Sequence, residues 1–270
     1  MNGFQLFVLS PDDRFLTFNP SGPPHILPAM IGTILNVVGI LAGAIVGLNR
    51  GKPLSRSNES FFQVMLGVFT VFYGLRLTWS SLQGSLPQIL KQLLIIVVAL
   101  MIGKLLGHLL KIQEFSNSLG RDARRRIDAA GSPGPRPRVS EGFSACAALF
   151  CAGPLGILGA LQDGLSGYFF PLAVKGVMDG LAAMAFVSFF GWGVMLAAIP
   201  VLAFQGTIAL ASAQYLRPFL ESHALLDSVN ATGGLLVFSV SLVILGLKRI
   251  ELADYLPSLA VAPLLTWLFR

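Results

Sequence analysis

Apolar residues in this chain come in runs of about 20, without the period-2 alternation of a strand. A bilayer core about 30 Å thick needs a helix of about that length, since each residue rises about 1.5 Å. Backbone groups in lipid must pair within the segment, so the runs predict membrane-spanning helices and an all-α fold. Eight runs stand out: about Pro28–Leu48, Phe61–Trp79, Pro87–Leu110, Phe143–Gln162, Pro171–Phe190, Gly193–Tyr215, Val229–Leu247 and the short Leu256–Phe269. Pro87 suits a helix start, where a missing N–H costs little. Gly153-Pro154 interrupts the fourth run, and Gly191-Trp192-Gly193 predicts a tight turn after the fifth.

Polar segments separate these runs and divide the chain into regions. Residues 1–27, with Pro11, Pro20, Pro23 and Pro24, read as an unstructured extension without the basic start of a signal peptide. Residues 28–110 hold spans one to three. Residues 111–141 form a basic linker, helical at first and disordered beyond Gly131, where Pro133, Pro135 and Pro137 accumulate. Residues 142–191 form a central hairpin of spans four and five, and residues 192–270 hold spans six to eight. Arg50, Lys52 and Arg56, the Arg-rich linker, and Lys248 with Arg249 fall on one side of an eight-span chain. The excess of Lys and Arg marks that side as cytoplasmic, and both termini are expected on the other.

The two ends of the chain echo each other. Ile31-Gly32-Thr33-Ile34 returns as Gln205-Gly206-Thr207-Ile208, Gly74-Leu75-Arg76 as Gly246-Leu247-Lys248, and Leu86-Pro87 as Leu256-Pro257. Gly32 and Gly206 stand 174 residues apart, Leu86 and Leu256 170. Spans one to three thus match spans six to eight in opposite orientation, an inverted repeat. Such repeats, with helices broken by Gly or Pro, mark secondary transporters that bind their solute near the midplane.

Ionisable residues inside spans are costly and point to function. Gln162 and Asp163 sit in a polar run, flanked by Gly159, Gly164 and Gly167. With Gly153 and Pro154, these Gly164 and Gly167 positions predict a backbone break whose carbonyls, beside a carboxylate, could hold a cation or proton. Lys175 and Asp179 are four residues apart and share a helical face. The echo of Gln162-Asp163-Gly164-Leu165 in Met178-Asp179-Gly180-Leu181 suggests that the two carboxylates approach each other. Thr33, Asn36, Gln205 and Thr207 are neutral polar residues for lining a site, with Thr33 and Thr207 at equivalent repeat positions. Ordinary hydrogen bonding between helices is the plainer role for each. Gly39, Gly43 and Gly47 form a small-residue stripe for close helix packing, through a homo-oligomer among other routes.

Composition narrows the class. The chain is 54% hydrophobic and 12% charged, with a mean hydropathy of +0.73. Soluble domains carry about twice that charge. The net charge of +6 sits in loops, so it reads as orientation signal and lipid contact, not as a nucleic-acid footprint. Cys146 and Cys151 point about 140° apart on a helix and read as core residues. Nothing suggests a metal cluster, a nucleotide loop, a nucleophile–histidine pair or a cofactor, and no enzyme is expected.

Several of these motifs together resemble the YqgA/YdfK-type family of bacterial multi-spanning membrane proteins. They are Met30-Ile31-Gly32-Thr33-Ile34-Leu35-Asn36, the stretch from Gly153 to Gly164, Asp179-Gly180, Ala198-Ile199-Pro200-Val201-Leu202, Gln205-Gly206, Ala231-Thr232-Gly233-Gly234, and Leu256-Pro257 with Ala262-Pro263. The resemblance runs from about Met30 to the C-terminus and implies an inner-membrane protein, sometimes labelled a transporter, with no established substrate. The leading expectation is a carrier of a small solute or ion, coupled to a cation or proton through Asp163 and Asp179. The alternative is a membrane scaffold or regulator acting through the basic linker on anionic lipid or an acidic partner.

Overall fold

The computed structural model describes residues 28–50, 55–130 and 139–269. The expected extension, residues 1–27, and the Pro-rich part of the linker, residues 131–138, lie outside the described residues. After one 3-10 turn, Pro28–Met30, the chain forms α1 (Ile31–Arg50), α2 (Arg56–Ser80), α3 (Leu86–Leu109), α4 (Ile112–Ala130), α5 (Val139–Ala152), α6 (Pro154–Ser166) and α7 (Phe170–Phe190). The second half holds α8 (Gly193–Leu196), α9 (Ala198–Ala211), a π turn (Ser212–Leu216), α10 (Arg217–Ser222), α11 (Leu226–Ile244), α12 (Leu252–Tyr255) and α13 (Ser258–Leu268). No strand occurs among the described residues.

Six stretches are long and apolar enough to cross a membrane: α1, α2, α3, α7, the continuous Gly193–Ser222 stretch and α11. The bent pair α5 and α6 makes a seventh if counted as one span, and Leu252–Leu268 is apolar but shorter. The expected eighth span is therefore a short segment divided into α12 and α13. The linker is structured as far as Ala130, and α5 starts at Val139, a turn ahead of the expected Phe143.

Local chemistry fixes several of these ends. Ser85 and Gln88 form a capping box at the start of α3, where the Ser85 N–H donates to Gln88 Oε1 at 2.7 Å. Gly191 has φ +61 and makes the turn expected after α7. Asp254, buried in α12, accepts the Gln113 backbone N–H at 2.8 Å, and Gln113 Oε1 accepts the Ala253 N–H at 3.0 Å. This reciprocal pair pins the first turn of α4 to the end of the bundle. His108, beside it, lies 3.9 Å from the Asp254 carboxylate.

Helix directions follow from which residues meet. Gly39, Gly43 and Gly47 meet Gly176, Gly180 and Met184 in order, so α1 and α7 run parallel. Gly67 meets Leu245 and Gly74 meets Gly234 and Phe238, so α2 and α11 run antiparallel. Gly103 meets Ser258 and Gly107 meets Asp254, setting α3 against α12 and α13. Asn36 meets Gln205, while Gly32 meets Asp163 of α6, whose neighbour Gly164 meets Ala209, so α1 and α9 run antiparallel. Arg50, α4, Lys248 and Arg249 consequently share one end of the bundle, the basic end. Phe72, Leu94, Met101 and other large side chains on α2 and α3 stay exposed. Apolar faces of that extent suit lipid, not water.

The α1 glycine stripe is consumed within the chain rather than by a second copy. A Cβ on Gly43 would sit 2.0 Å from the Gly180 carbonyl oxygen, and one on Gly39 2.2 Å from that of Gly176. Gly43→Ala should therefore force α1 off α7 and cost about 1–3 kcal/mol. Gly120→Ala, with nothing within 4 Å of the added carbon, should gain about 0.5–1 kcal/mol of helix propensity. Unfolding midpoints of the two variants in detergent check the contrast, and equal midpoints would refute it.

Candidate functional site

Four helices bring most of the expected polar residues into the interior. The pair α5 and α6 enters from the basic end, where Gly193 meets Val139 and Gly142 meets Phe190. It bends by 61° at Gly153. The bend lies inside the bundle, because a Cβ on Gly153 would stand 4.0 Å from Lys175 Cε. From there α6 runs on to the start of α1. Asp163 Oδ2 accepts the backbone N–H groups of Gly32 at 2.8 Å and Thr33 at 3.3 Å. A carboxylate is well placed there, since a helix start carries unpaired N–H groups and a partial positive charge.

Lys175 and Asp179 on α7 form a buried ion pair between Lys175 Nζ and Asp179 Oδ2. Asn36 Nδ2 donates to Gln205 Oε1 at 3.0 Å, which ties α1 to α9. Gly156 makes this junction possible: a Cβ there would lie 3.1 Å from both Gln205 Nε2 and Lys175 Cε.

Much of this polar set is unpaired. Thr33, Asn36, Gln162, Asp163 and Gln205 are all 0% exposed. Thr33 Oγ1, Asn36 Oδ1, both polar atoms of Gln162, Asp163 Oδ1 and Gln205 Nε2 have no hydrogen-bond partner. Among the described residues, no other buried side-chain nitrogen or oxygen lacks one. A buried polar atom left unpaired costs about 1–3 kcal/mol, and such atoms are rare. These atoms are grouped at the residues expected for the site.

Several expected features are corrected. Thr207 does not line the site: it is exposed on α9 and donates to the Ala203 carbonyl at 2.7 Å. Thr33, which the sequence echo paired with it, is buried, so the two face different surroundings. Gly164 is no break. It stays helical and lets Ala209 approach, with 2.1 Å from its Cβ position to that carbonyl oxygen. Gly167 ends α6 as a left-handed cap at φ +66, returning its N–H to the Gln162 and Asp163 carbonyls. The break is at Gly153 and Pro154 alone, so Asp163 sits in regular helix and faces N–H groups, not freed carbonyls.

Asp163 and Asp179 are not neighbours. Asp163 lies at the level of Leu172, which with it crowds Gly32. Two helical turns, about 10 Å, separate Leu172 from Asp179. Gln162, turned about 100° from Asp163, faces Gly233 of α11, whose Cβ position is 2.0 Å from Gln162 Nε2. Two participants were missed: Ser166 Oγ donates to Asn230 Oδ1 at 2.7 Å beside this cluster. Asn230, a polar residue just before Ala231-Thr232-Gly233-Gly234 inside a span, carried the same signal as Asn36.

Comparison with known proteins places the chain. Residues 31–267 match the family described as "Protein of unknown function (DUF554)". The chain belongs to the DUF554 family. "Uncharacterized membrane protein YdfK" of Bacillus subtilis (strain 168) is 30% identical over 241 residues, which cover 89% of this chain and 97% of that protein. "Uncharacterized protein YqgA" of Escherichia coli (strain K12) is 26% identical over 233 residues, covering 86% and 94%. No solved structure matches. The DUF554 match contains every residue of the buried polar cluster, and its apolar helices make this DUF554 chain a membrane protein.

Proposed function

We propose that this protein is a carrier of a small solute or ion in the bacterial inner membrane, coupled to a cation or proton. The observation that carries the reading is the set of unpaired buried polar atoms on α1, α6 and α9, beside the Lys175–Asp179 pair. Asp163 Oδ1 and the oxygens of Asn36 and Thr33 suit a cation or proton. Gln205 and Gln162 offer amides to a polar solute. Asp179 can release Lys175 and pair with a substrate group instead.

The helix directions support reading spans one to three and six to eight as inverted repeats, because α1, α2 and α3 run opposite to α9, α11 and α13. A broken helix beside the site supports the same reading. Taking the basic end as cytoplasmic puts the start of α1 and the end of α13 outside. Nothing in the reading requires a covalent step. The scaffold alternative loses support from α4, whose Ser116 and Ile127 help wall a cavity of the bundle instead of standing free.

The test is a thermal-shift titration of the full chain in detergent with H⁺, Na⁺ and K⁺. A bound cation at about 100 times its Kd should stabilise by about 2.7 kcal/mol. The reading expects a response to at least one cation that Asp163→Asn loses. Identical responses in the wild type, Asp163→Asn and Asp179→Asn would overturn it.

A further inference from the structure

A cavity of about 920 Å³ opens at the basic end between α4, the end of α5 and the segment after α11. Arg121, Arg124 and Arg249 line it, opposed by the single carboxylate of Asp128. None of the three arginines has an ion pair or hydrogen bond to a described residue. Its inner wall includes Gly153 and Pro154, the break in the bent pair, and Lys175 lies directly behind Gly153.

We propose that this cavity is the entry vestibule of the carrier and that the solute it admits is an anion bearing a carboxylate or phosphate. The inference rests on the carrier reading and names its substrate class. Arginines at a cytoplasmic end are ordinarily orientation signals spread through solvent. Here they converge. Arg121 and Arg124 are three apart and share the face of α4 that lines the cavity, whereas Arg125 and Arg126 do not line it, and Arg125 pairs with Asp122. Arg249 comes from the other half of the chain and reaches the same cavity. Unpaired guanidiniums on a concave wall concentrate a positive field and offer fork geometry to a carboxylate or phosphate. An anion drawn inward meets the ammonium of Lys175 next, where it can compete with Asp179.

The anion can arrive from two sources. A soluble one enters the open mouth. An amphiphilic one could slide in from the bilayer, because an apolar groove of about 610 Å³ between α2, α7 and α11 shares Gln113, Pro154 and Phe186 with the vestibule.

Binding to the full chain in detergent tests this, with inorganic phosphate, succinate and oleate as probes and succinamide as the neutral control. Wild type, Arg121→Gln/Arg124→Gln and Arg125→Gln/Arg126→Gln are compared; all four arginines are exposed, so folding should survive. At least one anion should stabilise the wild type while succinamide does not. Arg121→Gln/Arg124→Gln should need at least 10-fold more of it, and Arg125→Gln/Arg126→Gln, outside the cavity wall, should match the wild type. Phosphate or succinate as the active probe assigns a soluble solute; oleate alone assigns an amphiphile. Equal anion responses in the wild type and Arg121→Gln/Arg124→Gln overturn the vestibule, as does no response to any anion. If an Asp163-dependent cation response survives that failure, the carrier reading stands without the vestibule. Arginine-dependent anion binding without any such cation response overturns the carrier reading instead.

Discussion

Asp163→Ala should destabilise the protein by about 2–4 kcal/mol, more than any exposed substitution in the bundle. The mutation strips the acceptor from two buried N–H groups, those of Gly32 and Thr33, at the point where α1 begins. Each buried donor left unpaired costs about 1–3 kcal/mol. The favourable meeting of a carboxylate with a helix start goes too, worth up to about 2 kcal/mol when partly buried. Asp163→Asn keeps an oxygen in place and should lose much less stability, while losing the charge that the proposed cation needs. The two variants thus separate a folding role from a binding role at one position. Unfolding midpoints in detergent check the pair; an alanine variant as stable as the wild type would mean that Asp163 does not hold α1.

The Lys175–Asp179 pair should behave differently. Lys175→Met or Asp179→Leu alone leaves the partner charge buried without its counter-ion, which costs about 3–5 kcal/mol. The double variant Lys175→Met/Asp179→Leu removes both charges and should recover most of that loss, because a buried ion pair adds little net stability over apolar side chains of similar size. Coupling in the double-mutant cycle should exceed about 2 kcal/mol, at the strong end for contacting residues. Solute movement should be lost in all three variants. A double variant that restores both stability and flux would make the pair purely structural. Additive losses would mean that the two residues do not pair.

Much of the fold was legible because lipid imposes a simple rule: apolar runs of spanning length become helices. The break at Gly153 and Pro154 and the turn at Gly191 were legible for the same kind of reason, since their backbone demands are local. Gly164 was misread because glycine serves two purposes, irregular backbone and close approach. Which one applies is decided by a partner, here Ala209, far along the chain. The site was legible as a list of intramembrane polar residues but not as an arrangement. Asp163 and Asp179 share a local motif, yet the motif says nothing about the two helical turns that separate their levels. Thr207 echoes Thr33 in the sequence, yet α9 turns it outward. The vestibule was hidden because Arg249 and Arg121 meet only once the two halves are packed.

The most direct test of the carrier account is charge movement across reconstituted proteoliposomes on a solid-supported membrane. Concentration jumps of Na⁺, H⁺, phosphate and succinate are applied to the wild type, Asp163→Asn and empty liposomes. The account predicts a saturable current with at least one cation, enhanced by an anion and absent in Asp163→Asn. Wild-type traces that match those of empty liposomes for every jump would contradict it.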